Sequence, residues 1–144
     1  MTFIDAYGLV ALVADEPAAA EVEELLRAGG SRVVAVNLAE AIDLCGRTRG
    51  FALDEVRRAL EPLILSDALT VVVSDEQEAW FAAELRGKHY HRRSRPISMA
   101  DSLLLAHVLS SERAVATADP DVAAVARSEG SAVIALPDRS GKRP

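Results

Sequence analysis

Hydrophobic positions along the chain fall into short β-branched runs that alternate with longer segments of helical period. Thr2–Ile4 reads as a strand, followed by helical stretches to about Ala14 and from Pro17 to Ala28, the second ended by Gly29 and Gly30. Arg32–Val36, Leu69–Val73, Ala114–Ala116 and Ala132–Ala135 read as further strands. Between them the pattern predicts helices over 38–48, 53–65, 76–85, 99–109 and 120–128, with the basic stretch after residue 85 left as a loop.

Strands alternating with helices at this spacing imply crossover units. The expected fold class is therefore α/β: a mostly parallel sheet of four to five strands, covered by helices on both faces to give three layers, α/β/α. No repeat or linker interrupts the pattern, so a single domain is expected over residues 1–136, with 137–144 as a flexible C-terminal tail.

Composition narrows the function classes. Half of the 144 residues are hydrophobic and 26% are charged, the balance of a globular protein that folds alone. Cys45 is the only cysteine, which rules out an intrachain disulfide and a multi-cysteine zinc site and suits a reducing compartment, with the cytoplasm as the expected location. The N-terminus has no basic n-region and Asp5 breaks its apolar run, so no signal peptide is expected. Apolar runs such as Leu103–Ala106 fall far short of the ~20 residues that cross a bilayer, so no membrane is involved.

A net charge of −6 argues against a general nucleic-acid coat protein. Yet Arg86, Lys88, Arg92, Arg93 and Arg95 lie together with no acid among them, and Tyr90 stands in their midst. This segment is a candidate RNA-binding patch, with Tyr90 available to stack on a base; a solvated loop is the alternative.

In a sheet of this kind, strand C-termini and the helix N-termini after them share one edge, where open α/β folds bind ligands. Four acids map there. Asp5 follows the first strand, Glu40 falls in the first turn of the helix after Arg32–Val36, Asp101 in the first turn of the helix from Met99, and Asp119 three residues after Ala116. Each also has a plainer explanation. Asn37 with Glu40 and Ser98 with Asp101 have capping-box spacing, and Asp119 before Pro120 is a good N-cap. Glu40 fits the plain account best, because it falls opposite Leu38, Ala41, Ile42 and Cys45 on a helical wheel. Asp101 fits it least, because its helix is apolar nearly all round and a desolvated carboxylate needs a partner.

Convergence of four carboxylates would be costly, since two of them ~5 Å apart repel by ~3 kcal/mol at an effective dielectric of about 20. Hard oxygen ligands at open positions suit Mg²⁺ or Mn²⁺, which keep several waters and hold a phosphate oxygen. Helix N-termini at the same edge offset part of the negative charge and favour a phosphate. The expected chemistry is metal-assisted attack on a phosphodiester.

Other candidates carry less. His89 and His91 alternate like a metal pair but lack a third soft ligand nearby, and His107 reads as a satisfied residue of a buried helix. Trp80 and Phe81 read as core. No P-loop, no G-x-G-x-x-G and no Ser-His-Asp order is present.

With these residues in view, the chain resembles the PIN-domain ribonucleases, and within them the VapC-type toxins of type II toxin–antitoxin pairs. The resemblance runs from residue 2 to about 136. It rests on Phe-Ile-Asp-Ala-Tyr-Gly-Leu-Val-Ala-Leu with Asp5, Asn-Leu-Ala-Glu with Glu40, Ile-Ser-Met-Ala-Asp-Ser-Leu-Leu-Leu-Ala with Asp101, and Val-Ala-Thr-Ala-Asp-Pro-Asp with Asp119. It implies a PIN-like domain in which Asp5, Glu40, Asp101 and Asp119 bind magnesium and are catalytic, Asp121 is an auxiliary acid and Thr117 a hydroxyl close to the metal. It also implies an RNA substrate, a homodimer and a cognate antitoxin. One departure stands out: where such proteins carry a small hydroxyl residue after the first acid, this chain has Ala6 and Tyr7.

The leading expectation is thus a Mg²⁺-dependent endoribonuclease acting as a toxin. A catalytically silent RNA- or protein-binding module and a housekeeping nuclease are the alternatives. A receiver or haloacid-dehalogenase-like phosphoryl-transfer domain fits poorly, because Asp5 has no second acid two residues on.

Overall fold

Five short parallel strands, β1 (Thr2–Ile4), β2 (Ser31–Val34), β3 (Leu69–Val72), β4 (Ala114–Thr117) and β5 (Val133–Ala135), form one sheet in the order β3-β2-β1-β4-β5. The structure is a computed structural model that describes residues 1–144. From β1 the chain steps outward to β2 and β3, then crosses back over the sheet to β4 and β5. Right-handed crossovers place helices joined in the first direction on one face and those joined in the other on the opposite face. The first face carries α1 (Ala6–Ala14), α2 (Ala19–Ala28), α3 (Ala35–Arg49) and α4 (Leu53–Leu65); the second carries α5 (Glu76–His89), α6 (Met99–Ser110) and α7 (Pro120–Ser128).

Two cores follow from this split, and alternate strand residues feed them. Ile4, Val33 and Ala116 point into the core under α1–α4 with Leu9, Val22 and Leu60, while Phe3, Val34 and Val115 point into the core under α5–α7 with Leu104, Leu105 and Val125. The fold is the expected three-layer α/β/α domain, with the sheet parallel throughout. No helix is long and apolar enough to cross a membrane.

Two local expectations are corrected. First, β2 stops at Val34 and α3 begins at Ala35, because Val34 pairs with Val72, the last residue of β3, and leaves Ala35 and Val36 no strand partner. The capping box expected from Asn37 and Glu40 therefore does not form, and Glu40 lies in the second turn of its helix. Second, α5 runs on to His89, so Arg86 and Lys88 are helical; basic side chains in a last turn suit the negative end of the helix dipole. The last eight residues close a turn against the body. Asp138 Oδ1 accepts from Ser140 N at 2.8 Å and Lys142 N at 2.9 Å, Asp138 N donates to Lys142 O at 2.7 Å, and Arg143 pairs with Glu21 at 2.7 Å.

Candidate metal centre

Between β1 and β4 the chain leaves the sheet in opposite directions, into α1 on one face and α7 on the other, and the acids gather at this switch point. Asp5 is the N-cap of α1: its Oδ1 accepts from Gly8 N at 2.8 Å. Its Oδ2 accepts from the Thr117 hydroxyl at the end of β4. Thr117 Oγ1 in turn accepts from Asp119 N at 2.9 Å. One buried threonine thus fixes the first acid and the loop that carries the fourth.

Asp5 is buried, and this desolvation pushes its carboxyl up to about 7 despite the lowering effect of the Thr117 and Gly8 hydrogen bonds; the charges of Asp119 and Asp101 push it further the same way. Burial also raises Glu40, aided by Asp101, then Asp119 and Asp43. Asp121 is raised by burial and by Asp119, while the Arg95 guanidinium acts in the opposite direction. Asp5, Glu40, Asp101, Asp119 and Asp121 therefore share one electrostatic neighbourhood. The half-buried Glu40 belongs to it although the helical wheel put it on a solvated face. None of the five acids forms an ion pair.

The capping roles are real as well. Ser98 and Asp101 form a reciprocal capping box, with Ser98 N donating to Asp101 Oδ2 at 2.8 Å and Asp101 N to Ser98 Oγ at 3.0 Å. Asp119 Oδ1 accepts from Asp121 N at 2.7 Å and Val122 N at 3.2 Å, with Pro120 opening α7. No three of the acids converge as a ready-made ligand cage. Their mutual repulsion and their capping bonds account for that spread. A magnesium ion does not need a cage, because it keeps several waters and is held through one or two carboxylates. Asp101 Oδ1, Asp119 Oδ2 and both Glu40 oxygens carry no hydrogen bond and are free for such a role. Asn37, three residues before Glu40, is fully buried with Oδ1 and Nδ2 both unpaired. The donor set fits a hydrated hard cation.

Tyr7, at the point of departure after Asp5, packs into the first core. Its hydroxyl is buried without a hydrogen-bond partner, and burial beside Glu16 pushes it up to about 12.

The basic segment divides. Arg86 Nε donates to Ile97 O at 3.2 Å and its guanidinium lies 4.3 Å from the Tyr90 ring centre. Lys88 and His89 both meet Glu129. Arg95 touches His89 and faces Asp121; Arg92 and Arg93 are exposed and engage no partner. His89 and His91 do not form a metal pair, since His91 is bonded to Ser94. Trp80 is corrected from core to surface: it is 72% exposed, its indole N–H donating to Glu76 at 3.3 Å, because α5 turns only Ala82 and Leu85 fully inward. Phe81 packs partly against the second core, and His107 is half-buried, bonded to Ser74 at 3.0 Å and stacked on Phe3.

Solved structures with this fold share little sequence. VapC20 of Mycobacterium tuberculosis, a sarcin-ricin loop cleaving toxin, superposes with a TM-score of 0.69 at 20% identity, covering 86% of this chain and 94% of that one. VapBC2 of Rickettsia felis, bound to a DNA fragment from its promoter, gives 0.68 at 12% identity, covering 92% and 96%. FitAcB of Neisseria gonorrhoeae gives 0.62 at 20% identity, covering 93% and 96%. No curated protein matches the sequence. The family model of the PIN domain matches residues 2–128, most of the chain and every acid of the cluster, and the chain belongs to that family.

Proposed function

We propose that the chain is a divalent-metal-dependent endoribonuclease that serves as the toxin of a type II toxin–antitoxin pair. The observation that carries the reading is Asp5: a buried carboxylate with no cationic partner, coupled to the charges of Asp101 and Asp119 at the sheet's switch point. Retaining an unpaired acid there costs stability, and a cation at the site would offset that cost. Asp5, Glu40, Asp101 and Asp119 are the proposed ligands, with Asp121 auxiliary and Thr117 holding Asp5 in place. Mg²⁺ is the expected ion and Mn²⁺ the substitute, since all donors are hard oxygens. Bound there, the ion would supply Lewis acidity to a phosphodiester oxygen. The positive dipole end of α7 favours the same phosphate, although its first-turn N–H groups are taken by the Asp119 cap. Arg95, beside Asp121, and the free Arg92 and Arg93 are proposed to meet the RNA backbone, with Arg86 and Lys88 at its margin.

Kinship in fold with VapC20, named as a sarcin-ricin loop cleaving toxin, and with VapBC2 and FitAcB supports the toxin role and a cognate antitoxin; a homodimer is proposed on the family resemblance alone. Purified protein freed of antitoxin is expected to cleave RNA with Mg²⁺ and to stop with EDTA or with Asp101→Asn. Metal-independent cleavage untouched by that change would overturn the reading. A second reading, a silent binding module, draws on the capping bonds already held by Asp5, Asp101 and Asp119. Mn²⁺ binding by the wild type that is lost in the acid variants would exclude it. A small antitoxin-like reading frame directly upstream would separate a toxin from a housekeeping nuclease.

A further inference from the structure

An acidic site that takes a polyanion needs cations along the substrate's path, and few are free near the switch point. The charge of Arg95, in the second-face layer, reaches Asp121 without an ion pair between them. On the opposite side the chain leaves β5 at the same edge of the sheet and closes the turn of Asp138–Lys142. Its basic residues differ sharply in what they do. Arg143 is held by Glu21 of α2 and by Ala135 O. Arg139 lies 3.4 Å from Glu16, which Arg49 also engages at 2.6 Å. Lys142 is exposed, and its ammonium has no ion pair within 4 Å and no hydrogen bond, although its charge reaches Asp138. It lines a cavity of about 80 Å³ with Ala118, Pro120, Asp138, Arg143 and Pro144, of which Ala118 and Pro120 stand on either side of Asp119.

We infer that Lys142 is a phosphate-binding residue of the substrate track, holding a backbone phosphodiester of single-stranded RNA beside the one engaged at the acid cluster. The inference rests on the nuclease reading above and adds to it the residue that guides the strand from the side opposite Arg95. Three observations support it. The turn is built: Asp138 Oδ1 accepts from Ser140 N, Ser140 Oγ and Lys142 N, so the lysine backbone is fixed before any ligand arrives and less ordering cost falls on binding. The turn is anchored at both flanks, by Arg139 to the loop after α1 and by Arg143 to α2. Its single free cation stands next to the loop that presents Asp119, where a bound strand must pass if Asp119 acts on it.

Binding of a fluorescent single-stranded RNA oligomer in EDTA, followed by anisotropy across a salt series, tests this without metal or turnover. Lys142→Ala is expected to weaken binding and to flatten the slope of log affinity against log salt by ~0.7, one phosphate contact; Lys142→Glu weakens it further and Lys142→Arg restores it. With Mg²⁺ and substrate, Lys142→Ala should raise KM and leave kcat unchanged, as loss of a contact made equally in ground and transition states does. Melting temperatures should stay close to that of the wild type, since the side chain is exposed and makes no hydrogen bond or close ion pair. Wild-type binding and cleavage with Lys142→Glu unaffected would overturn the inference and leave the nuclease reading standing. A wild type that neither binds nor cleaves RNA would overturn both.

Discussion

Thr117 and Asp5, 112 residues apart in the chain, share a buried hydrogen bond that ties the end of β4 to the end of β1. The same hydroxyl accepts the Asp119 N–H, so a hydroxyl at this position aligns two acids at once. Thr117→Val keeps the shape and removes both functions. We expect a loss of about 1–3 kcal/mol in urea unfolding above neutral pH, where a buried carboxylate is left short of a donor, and a weaker response to Mn²⁺ in titration. Thr117→Ser should restore both. A valine variant equal to the wild type in both measurements would remove Thr117 from the site.

Asp5 gives the apoprotein a characteristic pH dependence. Its folded-state carboxyl titrates near 7 instead of 3.8, so between these values the native state holds a proton that the unfolded state has released. Stability contributed by the protonated form is therefore complete below about pH 4 and is lost as pH rises to about 7, by an amount on the order of 4 kcal/mol. Asp5→Asn, which cannot ionise, should be more stable than the wild type at pH 8 in EDTA and should lose that advantage at pH 4. Divalent cation binds the ionised form, so the rise in melting temperature on adding Mg²⁺ should be larger at pH 8 than at pH 5.5. A Mg²⁺ effect independent of pH would show that Asp5 is not involved in holding the ion.

Much of this was legible in the chain because it depends on local pattern. The strand runs and helix periods gave the alternation, and the alternation gave the edge on which Asp5, Asp101 and Asp119 lie. What escaped was set by partners distant in sequence. Val36 has strand propensity but no neighbour to pair with, so the helix starts early and carries Glu40 inward. Trp80 looks apolar, but the face of α5 on which it lies has nothing to cover it. After Pro137, Asp138 before Ser140 is an Asx-turn signature, and the turn it forms carries Lys142. Asn37 had a capping explanation that concealed a buried, unpaired amide.

Gly8 reports on how closely α1 packs over the site. A methyl group built there meets Ile4 Cγ2 at 2.6 Å, and Ile4 is fully buried. Alanine gains up to about 1 kcal/mol of helix propensity, but overpacking costs about 1–3 kcal/mol, so Gly8→Ala should be destabilising or at best neutral. Because Gly8 N is a donor to Asp5, the shift also displaces the carboxylate. RNA cleavage measured well below the melting temperature should fall more than the stability change explains. Full activity with lowered stability would confine the effect to packing.

Glu40 separates a ligand from a capping residue most cleanly, because it is in the second turn of α3 and its side chain makes no hydrogen bond. Its environment is wholly unfavourable to charge: burial first, then Asp101, Asp119 and Asp43. Removing that charge with Glu40→Gln should leave the apoprotein as stable as the wild type, or more stable by up to about 1 kcal/mol, since repulsion is relieved and no bond is broken. If Glu40 helps hold the ion, the same change should lower Mn²⁺ affinity and cut RNA cleavage by about 100-fold or more, beyond what loss of an outer contact costs. Stability and activity would then move apart in one variant. Unchanged metal affinity would return Glu40 to the role the helical wheel first suggested, and the ion would have to be held by Asp5, Asp101 and Asp119 alone.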